Sequence, residues 1–123
     1  IPMDDNTFDV VICNHVLEHV DDSHKVMTEF YRVMKPGGWG IFQVPIDRNN
    51  PITEEDKSVT DPKERERLYW QDDHLRLFGL DYGKKLAAAG FKVTESDFIN
   101  ELSPELVVRY ALPKGEIVYF CEK

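Results

Sequence analysis

The distribution of apolar and polar residues divides the chain into segments of strand and helix length. Residues 8–13 and 39–44 are almost wholly apolar runs without polar/apolar alternation, which is typical of strands buried on both faces of a parallel sheet. Between them, apolar residues recur at helical spacing and predict an amphipathic helix over residues 23–34. A strand, a helix and a second strand within about 35 residues predict a right-handed crossover unit with parallel strands.

Capping and turn residues set the ends of that first helix. Asp21 and Asp22 precede it and are the N-cap candidates, because a carboxylate there can accept a hydrogen bond from a free backbone N–H of the first turn. Pro36 and the glycine pair at residues 37–38 are expected to end the helix in a turn before the second strand.

The later pattern predicts a smaller set of elements in alternation. Asp81 is expected to cap one of the helices, and Gly90 to end it in the left-handed conformation. The predicted helices cover residues 62–70, 82–89 and 103–111, and the predicted strands cover residues 91–99, near a sheet edge, and 116–121.

Residues 46–73 form a polar and charged stretch that is too long for a simple connection in a compact domain. It follows the end of the second strand and closes on two large aromatic residues, Tyr69 and Trp70. We therefore expect a lid over a site at that end of the sheet, with a solvated surface loop as the alternative.

Composition narrows the class of protein. With 123 residues, of which 41% are hydrophobic, the chain can bury one modest core. Its 23 acidic and 15 basic residues give a net charge of −8, which disfavours nucleic acid and anionic membrane surfaces as partners. No apolar run is long enough to span a bilayer. Cys13 and Cys121 lie in apolar strands and are predicted to be unpaired core thiols, which fits a reducing cytoplasm.

Polar side chains follow the first strand directly, at Asn14, His15, Glu18 and His19. In open α/β sheets the carboxyl ends of the strands are where ligands bind. The order H-x-x-E-H also matches a zinc peptidase pattern in which two histidines bind the metal and the glutamate acts as base. That reading requires one continuous helix, whereas here the pattern begins one residue after a strand, so it is a remote alternative.

Five segments together resemble the class I S-adenosylmethionine-dependent methyltransferases, of the methyltransferase type 11 kind. They are FDVVICNHVLEHV, KPGG, HLRLFG, AAAGF and VYFC, in that order along the chain. The resemblance implies an α/β Rossmann-like sheet with strands four, five, seven and six, the last strand antiparallel. It also implies that residues 1–123 are the carboxyl-terminal half of one domain. The glycine-rich cofactor loop, the first three strands and the acidic residue that holds the ribose would then precede residue 1.

The resemblance further implies roles for individual residues. The backbone around Cys13, Asn14 and His15 would pass beside the methionine end of S-adenosylmethionine. His19 or His74 would serve as the base if the acceptor must lose a proton, with a structural role as the alternative for either. Residues expected to face the acceptor are Glu18, Gln43, Tyr69, Trp70 and Arg76. Arg76 could equally anchor the predicted lid by pairing with a nearby acid.

The expected function is methyl transfer from S-adenosylmethionine to a small-molecule acceptor, as part of a longer chain. The 123 residues alone are expected to be inactive, because the glycine-rich loop and the acidic residue that bind the cofactor would precede residue 1. A non-catalytic binding module of the same fold is the alternative. Because one edge of the strand at residues 8–13 would lack a partner, we also expect this chain to self-associate there.

Overall fold

The two apolar runs form adjacent parallel strands, as predicted. In the computed structural model, which describes residues 1–123, β1 (Phe8–Asn14) pairs with β2 (Met34–Gln43). They are joined by α1 (Ser23–Val33), whose first turn is capped because the Asp22 carboxylate accepts a hydrogen bond from the backbone N–H of Lys25.

The KPGG segment differs from the prediction, because it lies inside β2 and not in a turn between the helix and the strand. Phe8 pairs with Met34 whereas Val10 pairs with Trp39, so two steps along β1 correspond to five along β2. The extra residues bulge out of the ladder, and Gly37 takes a φ of +79° there. Proline and glycine are common both in turns and in β-bulges, which is why the sequence pattern did not distinguish a turn from a bulge here.

The remaining strands complete a sheet with the order β1-β2-β4-β3, where β3 is Lys92–Ser96 and β4 is Val118–Glu122. The last strand is antiparallel to both of its neighbours, and β3 forms one edge. The predicted Rossmann-like order of strands is therefore confirmed. The strand predicted over residues 91–99 is shorter than expected, because Phe98–Glu101 forms a turn of 3-10 helix.

Three further helices lie where the pattern predicted them: α2 (Pro62–Tyr69), α3 (Tyr82–Ala88) and α4 (Pro104–Arg109). Asp61 caps α2 by accepting a hydrogen bond from the backbone N–H of Glu64. Asp81 precedes α3 but does not cap it. Its Oδ1 accepts hydrogen bonds from the backbone N–H and the hydroxyl of Thr53 instead, so it ties the long polar segment to the start of α3.

The hydrophobic core lies on one face of the sheet, beneath α1 and α3. Phe30 of α1 stacks on Phe42 of β2 with ring centroids 5.1 Å apart, and Phe91 packs against the same ring at 5.2 Å. Met27 and Leu86 are completely buried beside them. Burial of each such side chain contributes about 1.5–3 kcal/mol, so this face supplies most of the chain's apolar stabilisation.

The opposite face of the sheet is uncovered, which corrects the prediction that β1 is buried on both sides. Val11 and Cys13 point toward the core, but Ile12 is 62% exposed and Val10 and Trp39 are also exposed. β1 pairs only with β2, so its outer edge is free as well.

The long polar segment is held against the rest of the chain at several places. Ile46 forms a bridge with Phe78, Glu54 forms a bridge with Leu77, and Tyr69 at the end of α2 is buried. Its role as a lid stays a prediction. None of the helices combines the length and the hydropathy that crossing a bilayer would require.

Candidate functional site

A sharp turn carries the chain away from the sheet immediately after β1. His15 takes a φ of +56°, and its backbone N–H donates to the carbonyl of Gln43 at the end of β2. The residues that follow form a turn closed by a hydrogen bond from His19 N–H to the Val16 carbonyl. The H-x-x-E-H pattern is therefore not helical, although the zinc peptidase arrangement requires a helix to align its two histidines.

Arg76 holds this turn from the inside. Its guanidinium donates to the carbonyls of Leu17, Val20 and Asp21 at 2.6, 2.5 and 3.0 Å, and to the Glu55 carboxylate at 2.9 Å. The side chain is 1% exposed. Of the two roles that the sequence left open for Arg76, this geometry supports anchoring, because both terminal nitrogens of the guanidinium are engaged and only the buried Nε atom lacks a hydrogen-bond partner.

Glu18 lies on the other side of the turn with a very different environment. It is also 1% exposed, yet neither carboxylate oxygen has a hydrogen-bond partner. The nearest ring nitrogens are Nδ1 of His15, 3.4 Å from Oε1, and Nε2 of His19, 3.9 Å from it. A buried carboxylate without partners is costly, so this group calls for a functional explanation.

His74 faces Glu18 from a segment far along the chain. Its Nδ1 lies 2.7 Å from the Tyr69 carbonyl. A carbonyl can only accept, so Nδ1 carries the hydrogen and Nε2 carries the lone pair. That Nε2 atom is buried and has no hydrogen-bond partner.

His19 completes the group. Its ring lies edge-on to that of His74 with centroids 4.7 Å apart, and its Nδ1 is 3.2 Å from the Asp73 carboxylate. One potential ligand atom each from Glu18, His19 and His74 lies within 4.8 Å of the others. We call these three residues the His/Glu cluster. The sequence predicted each member, but it did not predict their convergence, and it did not single out Asp73.

A cavity of about 330 Å³ opens beside the carboxyl ends of β1 and β2. Its polar lining consists of His15, Gln43, Arg48, Glu116 and Tyr119. The Gln43 amide is engaged on the sheet side, since it donates to the Ile117 carbonyl and accepts from the Tyr119 N–H. His15 and the end of β2 thus lie at a cavity, as expected for an α/β sheet.

The remaining predicted site residues are spread around this region. The Tyr69 hydroxyl accepts a hydrogen bond from the Asp56 N–H inside the polar segment, whereas Trp70 is half exposed. Asn14 is exposed at the end of β1. Cys13 faces the core, and burial, followed by the negative charge of Glu18, raises its pKa to about 11. Cys13 and Cys121 are both free thiols, as predicted.

Residues 1–42 match the family model described as a methyltransferase domain. The chain is 50% identical over 38 residues to the ubiquinone/menaquinone biosynthesis C-methyltransferase UbiE of Desulfotalea psychrophila. The matched stretch covers 31% of this chain and 15% of that protein. It is 48% identical over 42 residues to a ubiquinone biosynthesis O-methyltransferase of Thiobacillus denitrificans, covering 34% of this chain and 18% of that one. The chain thus spans less than a fifth of these curated relatives.

Solved structures match over the whole chain at lower identity. The [4+2]-cyclase SpnF is 17% identical with a TM-score of 0.64, covering 100% of this chain and 53% of the cyclase. A methyltransferase of Thermotoga maritima, described as a possible histamine N-methyltransferase, is 19% identical with a TM-score of 0.55, covering 100% of this chain and 60% of that one. At these identities the likeness shows the fold. The resemblance to class I methyltransferases is thereby confirmed, by sequence in residues 1–42 and by fold throughout.

Proposed function

We propose that this chain supplies the acceptor-facing part of a domain that transfers a methyl group from S-adenosylmethionine to a small-molecule acceptor. One observation carries the proposal. The stretch that matches the methyltransferase domain family contains β1 and the turn that follows it. This turn carries Glu18 and His19 at the carboxyl ends of the strands, where this fold binds ligands. The curated relatives include both a C-methyltransferase and an O-methyltransferase, so they do not fix the atom that is methylated.

The cofactor's methionine end would lie along the backbone of Cys13, Asn14 and His15. The positive φ of His15 turns the chain away at that point, which leaves the end of β1 open to a ligand. The 123 residues contain no glycine-rich loop between a strand and a helix, and such loops let backbone amides approach a nucleotide closely. We therefore propose that the cofactor needs additional residues and that this chain alone does not support catalysis.

The acceptor would be held between the cavity and the His/Glu cluster. Methyl transfer is an in-line displacement, so the protein's main task is to align the acceptor atom with the sulfonium. His15 and Gln43 line the cavity, and the half-exposed Trp70 lies at the end of the polar segment that we propose as a lid. His19 and His74 are the candidates for the general base that accepts a proton from the acceptor. Arg76 contributes by fixing the turn that carries Glu18.

The test is a binding titration followed by a transfer assay. We expect S-adenosylhomocysteine to bind a longer chain that adds a glycine-rich segment to these residues, and not to bind the 123-residue chain in the micromolar range. Micromolar binding of S-adenosylhomocysteine by the 123-residue chain would contradict the proposal that the cofactor site needs additional residues. Mass spectrometry of acceptor mixtures incubated with the longer chain and S-adenosylmethionine then detects a mass gain of one methyl group.

A second candidate is a member of this fold that does not transfer methyl groups. The similarity to SpnF, described as a [4+2]-cyclase, favours keeping it, because the same sheet there accompanies a different reaction. Cofactor binding by the longer chain without any methylated product would support this candidate over methyl transfer.

Self-association through β1 is a further part of the proposal. The strand has an unpaired edge and exposed side chains at Val10 and Ile12, and such an edge can recruit another strand. Sedimentation should show a dimer or larger species that Ile12→Lys converts to monomer. Val108→Lys is the matched control, because Val108 is also an exposed aliphatic residue but lies on α4. A wild-type monomer at high concentration would contradict the proposal. We also propose a reducing, cytoplasmic location, which the two free thiols support.

A further inference from the structure

We propose that the His/Glu cluster of Glu18, His19 and His74 binds a divalent transition-metal cation such as Zn²⁺. The three side chains come from two distant segments, and their potential ligand atoms lie within 4.8 Å of one another. Both oxygens of Glu18 and the Nε2 atom of His74 are buried without a hydrogen-bond partner. A cation placed among them would supply the partner that each of these atoms lacks.

An acceptor atom lies beside the Nδ1 atom of both histidines in the cluster. In protein metal sites a ligating histidine usually donates its other ring N–H to a carbonyl or carboxylate, which fixes the tautomer. His74 makes such a contact from Nδ1 to the Tyr69 carbonyl at 2.7 Å. Nδ1 of His19 lies at an ion-pair distance of 3.2 Å from the Asp73 carboxylate, so an acceptor also stands beside this ring nitrogen. Both Nε2 lone pairs are therefore left for a common ligand, and Nε2 of His19 is 3.9 Å from Glu18 Oε1.

Charge supports the same conclusion. The only basic side chain buried nearby is Arg76, and its hydrogen bonds go to the turn carbonyls and to Glu55, not to Glu18. The Glu18 carboxylate therefore has no lysine or arginine to pair with, and the ring nitrogens nearest to it are those of His15 and His19. The protein as a whole carries a net charge of −8, which also attracts cations.

The ligand set selects the class of cation. Two imidazoles and one carboxylate are typical of catalytic zinc sites and of the facial triads that bind iron(II), with at least one coordination position open. Mg²⁺ and Ca²⁺ prefer oxygen ligands and are disfavoured here. His19 is about one-third exposed and offers an entry path. His15, whose side chain is 63% exposed, lies outside the cluster, so this site differs from the peptidase pattern, which would use His15 and His19.

The cation site is argued from ligand geometry and does not depend on methyl transfer. If both hold and the acceptor atom is an oxygen, the open position would face the acceptor, and the cation would polarise that oxygen in place of a free imidazole base.

The experiment is a Zn²⁺ titration of the 123-residue chain after removal of metals with a chelator. We expect one Zn²⁺ per chain by calorimetry, and with Co²⁺ a visible spectrum typical of nitrogen and oxygen ligands. Glu18→Gln and His74→Ala should each weaken binding about tenfold or more, and Asp73→Asn should weaken it by a smaller factor, since partners of the ligands also affect affinity. His24→Ala is the matched control, because His24 is exposed on α1 away from the cluster.

Folding is checked separately, because His74 is buried and its replacement could unfold the chain. Glu18→Gln keeps the side chain's shape and His19→Ala alters a partly exposed residue, so these two variants test the site if His74→Ala does not fold. Zn²⁺ should raise the unfolding temperature of the wild type and of His24→Ala but not that of Glu18→Gln. Absence of stoichiometric binding by the wild type, or binding retained in both Glu18→Gln and His19→Ala, would overturn the proposal. No readout involves S-adenosylmethionine, so the result is independent of the proposed function.

Discussion

Two buried charged side chains lie on opposite sides of the turn that follows β1, and their surroundings differ. Arg76 and Glu18 are each 1% exposed. The guanidinium of Arg76 donates to three backbone carbonyls and one carboxylate, whereas the carboxylate of Glu18 has no hydrogen-bond partner. Burial of the Arg76 guanidinium is therefore compensated by protein partners at both terminal nitrogens and left open only at Nε, whereas burial of the Glu18 carboxylate is left open at both oxygens.

The difference separates a structural group from a ligand-binding group. A buried polar group whose partners are all protein atoms stabilises the fold around it, and it has little capacity left for a ligand. A buried group without partners lowers stability, and it persists where another molecule or ion supplies the missing contact. The turn between β1 and α1 contains both kinds, since Arg76 fixes its shape and Glu18 faces the two histidines.

The largest expected effect is that of replacing Arg76. Arg76→Met keeps much of the side chain's bulk but removes the donors to the carbonyls of Leu17, Val20 and Asp21. Removing one member of a buried charge network costs about 3–5 kcal/mol, so the free energy of unfolding measured in urea should fall by about that amount. Arg67→Met is the control, because the pair between Arg67 and Glu64 is exposed and should leave the urea midpoint nearly unchanged. An Arg76→Met variant with the stability of the wild type would show that Arg76 does not stabilise the turn, and the contrast between Arg76 and Glu18 would then be wrong.

Glu18→Gln should act in the opposite direction in the metal-free chain. The substitution removes the charge of a buried carboxylate that has no hydrogen-bond partner and no lysine or arginine beside it, while the side chain keeps its volume. We expect the free energy of unfolding to rise by roughly 1 kcal/mol, which is the lower end of the cost of an unsatisfied buried group. The same urea experiment measures it, with the chelator present throughout. A loss of stability as large as that of Arg76→Met would mean that Glu18 holds the fold together in the way that Arg76 does.

The contrast between Arg76 and Glu18 also shows which features the sequence could predict and which it could not. The order of strands follows from the family resemblance, and the positions of α1, α2 and α3 follow from capping residues and local apolar patterns. The structure has both. The different roles of Glu18 and Arg76 depend on partners far away in the chain, such as the Leu17 carbonyl for Arg76. No local pattern specifies such partners. For the same reason the approach of His74 to His19 was not predicted, although each residue was a candidate.

The exposed face of β1 was mispredicted for a related reason. An apolar run such as residues 8–13 indicates a strand that can be buried on both faces, but the covering layer lies elsewhere in the sequence. In these 123 residues α1 and α3 cover one face only, so Val10 and Ile12 remain exposed. The pattern predicted the strand correctly and could not predict what covers it.

The smallest expected effect tests whether Glu18 is charged in the folded chain. Burial, and after it the negative charge of Glu18, raises the pKa of the Cys13 thiol from 9.0 to about 11, whereas burial alone raises that of Cys121 to about 12. Both raised values stabilise the fold below pH 9, and this contribution is lost as the pH rises from 9 through 11 and 12. Glu18→Gln should lower the pKa of Cys13 slightly, because only the smaller of its two causes disappears, and should leave Cys121 unchanged. Alkylation with iodoacetamide across alkaline pH, followed by peptide mass spectrometry, measures both thiols in one sample. An unchanged Cys13 profile would mean that Glu18 does not exert a negative charge on it, and the contrast with Arg76 would then rest on hydrogen bonds alone.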